Sequence, residues 1–543
     1  MVQEPPHPAP AAPTSPLWGE VKKEGFEFGQ MRVEQFLTDS ARRCGDKVAL
    51  VAGGARLTYR DLDLASDRLA GALAERGVAR GDRVVVFMDN CREAMIAIFA
   101  ALKAGAVFSP VNPSTKADKL AYVINNCRAR ALITQDKLRA VANAALAEAR
   151  SVALTVTAGA PEPARGLSFE AALAADHPAP RFAGIDLDLA MLVYTSGSTG
   201  FPKGVMMTHQ NVVAAASSIT TYLDNTADDV ILNVLPISFD YGLYQVLMAA
   251  KVGATLVLEQ SFAFPQAIFA RMTAERVTGL PLVPTMAAII LQMRDLAPGA
   301  FPHLRYITNT AAALPPAHIT RLQELFPGAR LYSMYGLTEC KRCTYLPPDE
   351  LARRPGSVGI AIPGTEAYVV DADGARVPHG VTGELVIRGA HVMQGYWENP
   401  EATARALRPG PYAWEKVLYT GDLFRADADG FLYFVGRKDD IIKTRGEKVS
   451  PKEVENALYA LPGIREAAVV GVPDPILGLA IKAVIAADPQ ANLSAHDVIR
   501  HCARHLEDFM VPKMVEFRDA LPKTESGKIS RRQVAADALE PAA

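Results

Sequence analysis

The chain has 543 residues, which gives room for three or four domain-sized units or one large body with a satellite, and excludes a mini-protein. Apolar residues make up 49% and charged residues 21%, enough oily side chain for a large core, so disorder along most of the length is excluded. Lysine and arginine total 57 against 59 acidic residues, a net charge of -2. Such a balance supplies no bulk field for nucleic acid or anionic lipid, and any polyanion has to be gripped locally.

The first residues, MVQEPPHPAPAAPTSP, lack a basic start and a continuous apolar stretch, so they predict a loose Pro/Ala-rich arm over residues 1–24 and no signal peptide. From Val33, the segment VEQFLTDSARRC places Val33, Phe36, Leu37 and Cys44 on one helical face, and KVALV then reads as a strand ending at Gly53-Gly54. LTYRDLDLASDRLAGALAERG is a strand passing into an amphipathic helix, DRVVVFM a buried strand, and REAMIAIFAALKAG a helix closed by Gly105. The most apolar stretch near the N-terminus, Ala94 to Val111, is broken by Lys103, Gly105 and Pro110 and is read as a helix then a strand, with no transmembrane span. The alternation recurs through ARALITQ, ATLVLE and ELVIRG and predicts an α/β fold, a large multi-sheet domain over 25–438 with helices packed on parallel-rich sheets. Past Gly436 the charged stretch GRKDDIIKTRGEK leads into a helix and strands that predict a small α+β unit over 439–543, with a hinge at Asp439.

Six cysteines are too few for a disulfide framework and agree with a reducing, cytoplasmic location. Cys340 and Cys343 form the one C-x-x-C, but no second pair with ligand spacing follows, so two ordinary thiols are expected.

The segment YTSGSTGFPKGVMMTH, Tyr194 to His209, follows the apolar AMLV and precedes a helix-suited run. Its three glycines and four clustered hydroxyls can turn sharply and offer N–H and O–H donors to phosphate oxygens, and Lys203 adds a point charge. It is not a Walker loop, because no Ser or Thr follows Lys203 and the glycine spacing differs. MYGLTEC brings together an aromatic ring at Tyr335, a hydroxyl at Thr338 and a carboxylate at Glu339, a set able to stack a base and hold Mg²⁺. In YTGD, Asp422 follows a glycine turn, where a carboxylate can accept hydrogen bonds from two vicinal hydroxyls. PKTESGKISR carries Lys528 in a Gly-flanked turn. Each of these taken singly reads equally well as a helix cap, a solvated charge run or a surface tail.

Together, from about Val33 to Arg532 and in this order, they resemble the AMP-forming adenylating superfamily of acyl-CoA synthetases, nonribosomal peptide adenylation domains and luciferases, and most of all its bacterial acyl-CoA ligases. The resemblance implies a site between a large N-terminal and a small mobile C-terminal domain. It maps Thr195, Ser196, Gly197, Ser198, Thr199, Gly200 and Lys203 onto the ATP pyrophosphate cradle, and Tyr335, Gly336 and Ala312 onto the adenine slot. Thr338 and Glu339 fall on phosphate and Mg²⁺, Asp422 on the ribose hydroxyls, Arg437 on a ribose or phosphate contact, Asp439 on the hinge and Lys528 on the catalytic lysine. Where relatives often have Gly-Gly-Ala in the adenine slot, this chain has Ala311-Ala312-Ala313, adding two methyl groups.

The implied reaction makes an acyl-AMP from ATP and a carboxylic acid, releasing pyrophosphate, and passes the acyl group to a thiol, with CoA expected. Gly446 has no Cβ to block a pantetheine arm. Phe239 begins the acyl pocket. Asp240, which follows it, has two readings: a receptor for a substrate ammonium group, or a structural carboxylate bonded to nearby backbone or hydroxyls, the second being favoured. Lys341 and Arg342 are read as solvated charges at least as readily as partners of a second carboxylate or of CoA phosphates. The rivals are a stand-alone enzyme loading a carrier protein, a luciferase-type monooxygenase and a non-catalytic adenylate sensor. Neither nucleic acid nor integral membrane association is expected.

Overall fold

Short aliphatic runs such as Arg83–Phe87 and Val107–Val111 are buried on both faces, the signature of strands covered by helices on either side. The computed structural model describes residues 31–539 apart from 160–165, 179, 181–183, 196–201, 294, 311–313, 439, 445–446, 475–476 and 525–526. Among these residues the strands form a 14-stranded, an 8-stranded and a 5-stranded sheet.

The two larger sheets share one core. The helix His209–Tyr222, started by a reciprocal cap between Thr208 and Asn211, packs on strands of both. The apolar stretch after Ala94 is the helix Arg92–Lys103, buried from Ala94 onward and followed by the strand Val107–Val111. Its one buried charge, Lys103, is neutralised at 2.6 Å by Asp63 and at 2.7 Å by Asp67. Among the described residues no helix is long and apolar enough to cross a membrane.

The sheets are parallel only in part. In the large sheet the strands from Val48–Ala52 to Arg330–Leu337 pair in parallel apart from the edge strand Ala55–Thr58, but from there to Arg437 the pairing is antiparallel. The glycine loop differs from expectation as well. It joins Leu189–Thr195 to Lys203–Thr208, an antiparallel pair in which Thr195 faces Lys203, so strand leads to strand and the helix comes only afterwards.

The strand Leu432–Arg437 belongs to the 14-stranded sheet and Ile442–Thr444 to the 5-stranded one, so the chain changes sheet between them. The small sheet and its helices bury their own apolar clusters, around Val454, Val469 and Ile485 on one face and Val470, Val484 and Val534 on the other. They dock on the large domain through the Ser450 hydroxyl, which donates to the Val435 carbonyl. Arg531 ties Asp440 at 3.3 Å to Glu455 at 2.6 Å.

One buried histidine gives this core a pH limit. His391 is 2% exposed, its Nε2 has no hydrogen-bond partner, and burial pushes its pKa down to about 4. Between that value and the roughly 6.5 of an unfolded histidine the unfolded chain binds the extra proton. Stability from this residue is therefore complete above pH 6.5 and falls by about 3 kcal/mol as pH drops to 4. Urea unfolding midpoints measured across this interval are expected to fall less steeply in His391→Asn than in the wild type.

Candidate active site

In open α/β sheets ligands bind beyond the carboxyl ends of the strands. Thr195 ends one strand and Lys203 begins the next, marking the base of the glycine loop; Ser196 to Gly200 lie outside the described residues. The Lys203 ammonium stands 5.2 Å from the centre of the Tyr396 ring, and the Tyr396 hydroxyl donates to Glu339 at 2.7 Å. Tyr396 thus links the loop lysine of one sheet to the carboxylate of the other. Sequence reasoning missed it, although GYWENP puts two aromatic rings beside a turn directly after a buried strand.

The nucleotide half is built by the hairpin Arg330–Leu337 and Lys341–Leu346. A Cβ on Gly336 would lie 1.9 Å from the Lys341 carbonyl oxygen, so glycine is what lets the two strands close at this point, where the pairing register shifts. The Tyr335 ring lies edge-on to Phe424 at 4.8 Å, and its hydroxyl donates to Asp422 Oδ2 at 2.6 Å. Asp422 and Arg437 are cross-strand neighbours, with Nε 3.2 Å from Oδ1. Burial raises the Asp422 pKa, against Arg437, which lowers it. Buried Oδ1, ion-paired with Arg437, accepts no hydrogen bond. Ala311 to Ala313 are outside the described residues.

Glu339 and Thr338 lie in the turn of this hairpin. Among the described residues no group of three or more His, Cys, Asp or Glu side chains could hold a metal ion. A single carboxylate is nonetheless what Mg²⁺ uses when phosphate and water oxygens complete its shell, so Glu339 fits that ion. Cys340 and Cys343 are fully buried with their sulfur atoms 2.8 Å apart, and burial, then Cys343, pushes the Cys340 thiol well above its ordinary pKa. That suppresses the thiolate on which redox or metal chemistry would depend.

Lys528 comes from the small domain. Its turn is held by the Thr524 N–H donating to the Lys528 carbonyl at 2.7 Å, with Gly527 at φ +78. The side chain is open to water yet walled by protein, as in a cleft. Loss of surrounding water lowers its pKa; Asp240 opposes this, Arg437 reinforces it, and Asp422 opposes it again. One ammonium therefore lies in the fields of the nucleotide-side carboxylate and of the carboxylate beside Phe239. Asp439 and Gly446 are outside the described residues.

On the acid side, Phe239 caps the helix Asp240–Val252, whose first turn carries Asp240. No described residue gives Asp240 a hydrogen bond or ion pair, so the backbone or hydroxyl bonds expected of a structural carboxylate are not found. Its charge acts instead on Lys528 and on Lys341. Lys341 and Arg342 are not solvated: they are 1% and 3% exposed. Lys341, at φ +63, donates to the Thr338 carbonyl at 2.8 Å, and burial lowers its pKa against the pull of Asp240 and Glu339. Arg342 lies over the rings of Tyr241 and Tyr244, 4.9 and 5.8 Å from their centres.

Lys203, Tyr396 and Glu339 thus form one chain of contacts, Tyr335, Asp422 and Arg437 a second, and the charges of Asp240 and Asp422 both act on Lys528. The chain matches the AMP-binding enzyme family over residues 37–397 and the AMP-binding enzyme C-terminal domain over 453–528. It is 35% identical to a feruloyl-CoA synthase of an Amycolatopsis species over 91% of this chain and 96% of that one. It is 31% identical to a long-chain-fatty-acid–CoA ligase of Bacillus subtilis over 94% of this chain and 95% of that one. Among solved structures, ATP-bound MatB from Rhodopseudomonas palustris superposes with a TM-score of 0.84 at 30% identity, covering 93% of this chain and 98% of that one. The chain belongs to the AMP-binding enzyme family, among its AMP-forming acyl-CoA ligases.

Proposed function

We propose that Lys528 is the residue that joins the two substrates, that the small domain carries it in and out of the cleft, and that CoA is the thiol acceptor. The observation that carries this reading is the shared field on Lys528, from Asp240 on the acid side and Asp422 on the nucleotide side. A carboxylate is a poor acyl donor because its leaving group is oxide or hydroxide. When one of its oxygens attacks the α-phosphorus of ATP, the bond to the β-phosphate oxygen breaks, pyrophosphate leaves, and the acyl group gains AMP as a good leaving group. Lys528 neutralises acid and α-phosphate together, Lys203 and the Thr195 to Gly200 loop hold the departing pyrophosphate, and Tyr335, Asp422 and Arg437 fix the nucleoside. Bound Mg²⁺ on Glu339 supplies further charge neutralisation.

The thiol then attacks the acyl carbon, and AMP leaves. Rotation about Asp439 withdraws Lys528 for this step and brings the segment around Gly446 toward the site. Phe239 walls the acyl group.

Three outcomes follow. With ATP, CoA and a panel of acids the protein is expected to yield AMP, pyrophosphate and acyl-CoA; AMP with a loaded carrier protein and no acyl-CoA would move the acceptor to the rival assignment. Lys528→Ala is expected to lower acyl-AMP formation by at least about 10²- to 10³-fold while sparing thioester formation from synthetic acyl-AMP, and Asp439→Pro to do the reverse. Equal loss of both steps in both variants refutes the division of labour. Because the pKa of Lys528 is lowered, its charge is lost earlier than that of a free lysine as pH rises. Acyl-AMP formation should therefore decline on the alkaline side below about pH 10.4, and Lys528→Arg, which stays charged, should move the decline upward.

A further inference from the structure

Arg342 is a buried cation without a counter-ion. It is 3% exposed, its Nε is buried with no hydrogen-bond partner, and among the described residues the guanidinium forms no ion pair. Its neighbours are tyrosines. The rings of Tyr241 and Tyr244 brace it at 4.9 and 5.8 Å, and its charge also acts on Tyr222. Tyr241 is fixed by its own hydrogen bond to the Thr308 carbonyl at 2.8 Å, while the buried Tyr244 hydroxyl has no partner. Aromatic faces offset part of a guanidinium's desolvation, but they leave its planar fork of N–H donors unfilled, and that fork matches a carboxylate.

The missing anion belongs to the acid side of the cleft. Tyr241 and Tyr244 stand in the first turns of the helix that Asp240 opens, directly after Phe239. Tyr335 and Asp422 bond each other and Arg437 pairs with Asp422, whereas the side chains placed against Arg342 are Tyr241 and Tyr244. We propose that Arg342, with the Tyr244 hydroxyl, receives a second carboxylate of the acyl substrate, so that the acid activated at Lys528 is a dicarboxylic acid. This rests on the ligase reading above and names the substrate class of that same site.

Pyrophosphate exchange into ATP by the full-length wild-type protein tests it, using straight-chain diacids from malonate to adipate, phthalate, aspartate and glutamate against monocarboxylates of matched length and ring. The expected result is a preference for the two-carboxylate member of each productive pair of at least about 100-fold in kcat/KM, since a site built to bond a polar group rejects the analogue lacking it. Arg342→Met should raise KM for the diacid by a similar factor, change kcat less, and improve the monocarboxylate; Arg342→Lys should recover part of the diacid preference. Should Arg342→Met fail to fold, the wild-type selectivity still decides. Exchange with monocarboxylates or single-carboxylate amino acids alone overturns the assignment of Arg342 and leaves the ligase standing. Exchange with no acid of either kind sinks both.

Discussion

Two anions must meet in one cleft before any chemistry can occur, and their repulsion is the constraint on which the arrangement of this molecule depends. At an effective dielectric of about 20, like charges 4 Å apart repel by about 4 kcal/mol, and a triphosphate multiplies that. In the proposed reaction Lys203, Arg437 and Lys528 counter it, two of them from the large domain and the last from the small one. Asp240, Glu339 and Asp422 keep these cations from repelling one another in turn, as the opposing influences on Lys341 and Lys528 record. In the proposed reaction the small domain would carry Lys528 by rigid-body motion, which is why hinge and catalysis are one question there.

The nucleotide half and the domain junction are also built from the same backbone. The strand Leu432–Arg437 carries Arg437, paired with Asp422, and two residues earlier Val435, whose carbonyl receives the docking hydroxyl of Ser450. A shift of this strand changes the ribose-side ion pair and the seat of the small domain together. Arg531 adds a second tie, from the far end of the chain to Asp440 beside the crossing point and to Glu455 on the first helix of the small domain.

Much of this was legible in the sequence because it depends on local pattern. The helix Arg92–Lys103 and the strands around it announce themselves by composition and period, and Asp422 by its place after a glycine turn at φ +72. The glycine loop was read as entering a helix because an apolar-periodic run follows it, yet Lys203–Thr208 first pairs back on Leu189–Thr195, a non-helical choice decided by the neighbouring strand. The antiparallel half of the large sheet was hidden for the same reason: strand direction is fixed by partners far away in the chain. Asp240 was read as structural and is without bonds among the described residues, while Lys341 and Arg342 were read as solvated and are buried. Charge next to charge in sequence looks like surface, and only the packing of Tyr222, Tyr241 and Tyr244 around them reveals otherwise.

The hairpin from Arg330 to Leu346 shows why such residues cluster within a few positions. Between its strands the pairing register shifts at Tyr335 and Gly336, and Lys341 takes a left-handed backbone to close the turn. The consequence is that residues seven apart meet different partners: Tyr335 bonds Asp422 and Arg342 lies against Tyr241, with Glu339 between them in the turn. Gly336 permits this only because it has no Cβ, since any side chain would drive the Lys341 carbonyl away and with it both flanking contacts. In the proposed reaction one turn would thus bear on nucleotide, ion and acid, so a substitution that loosens it would displace all three together.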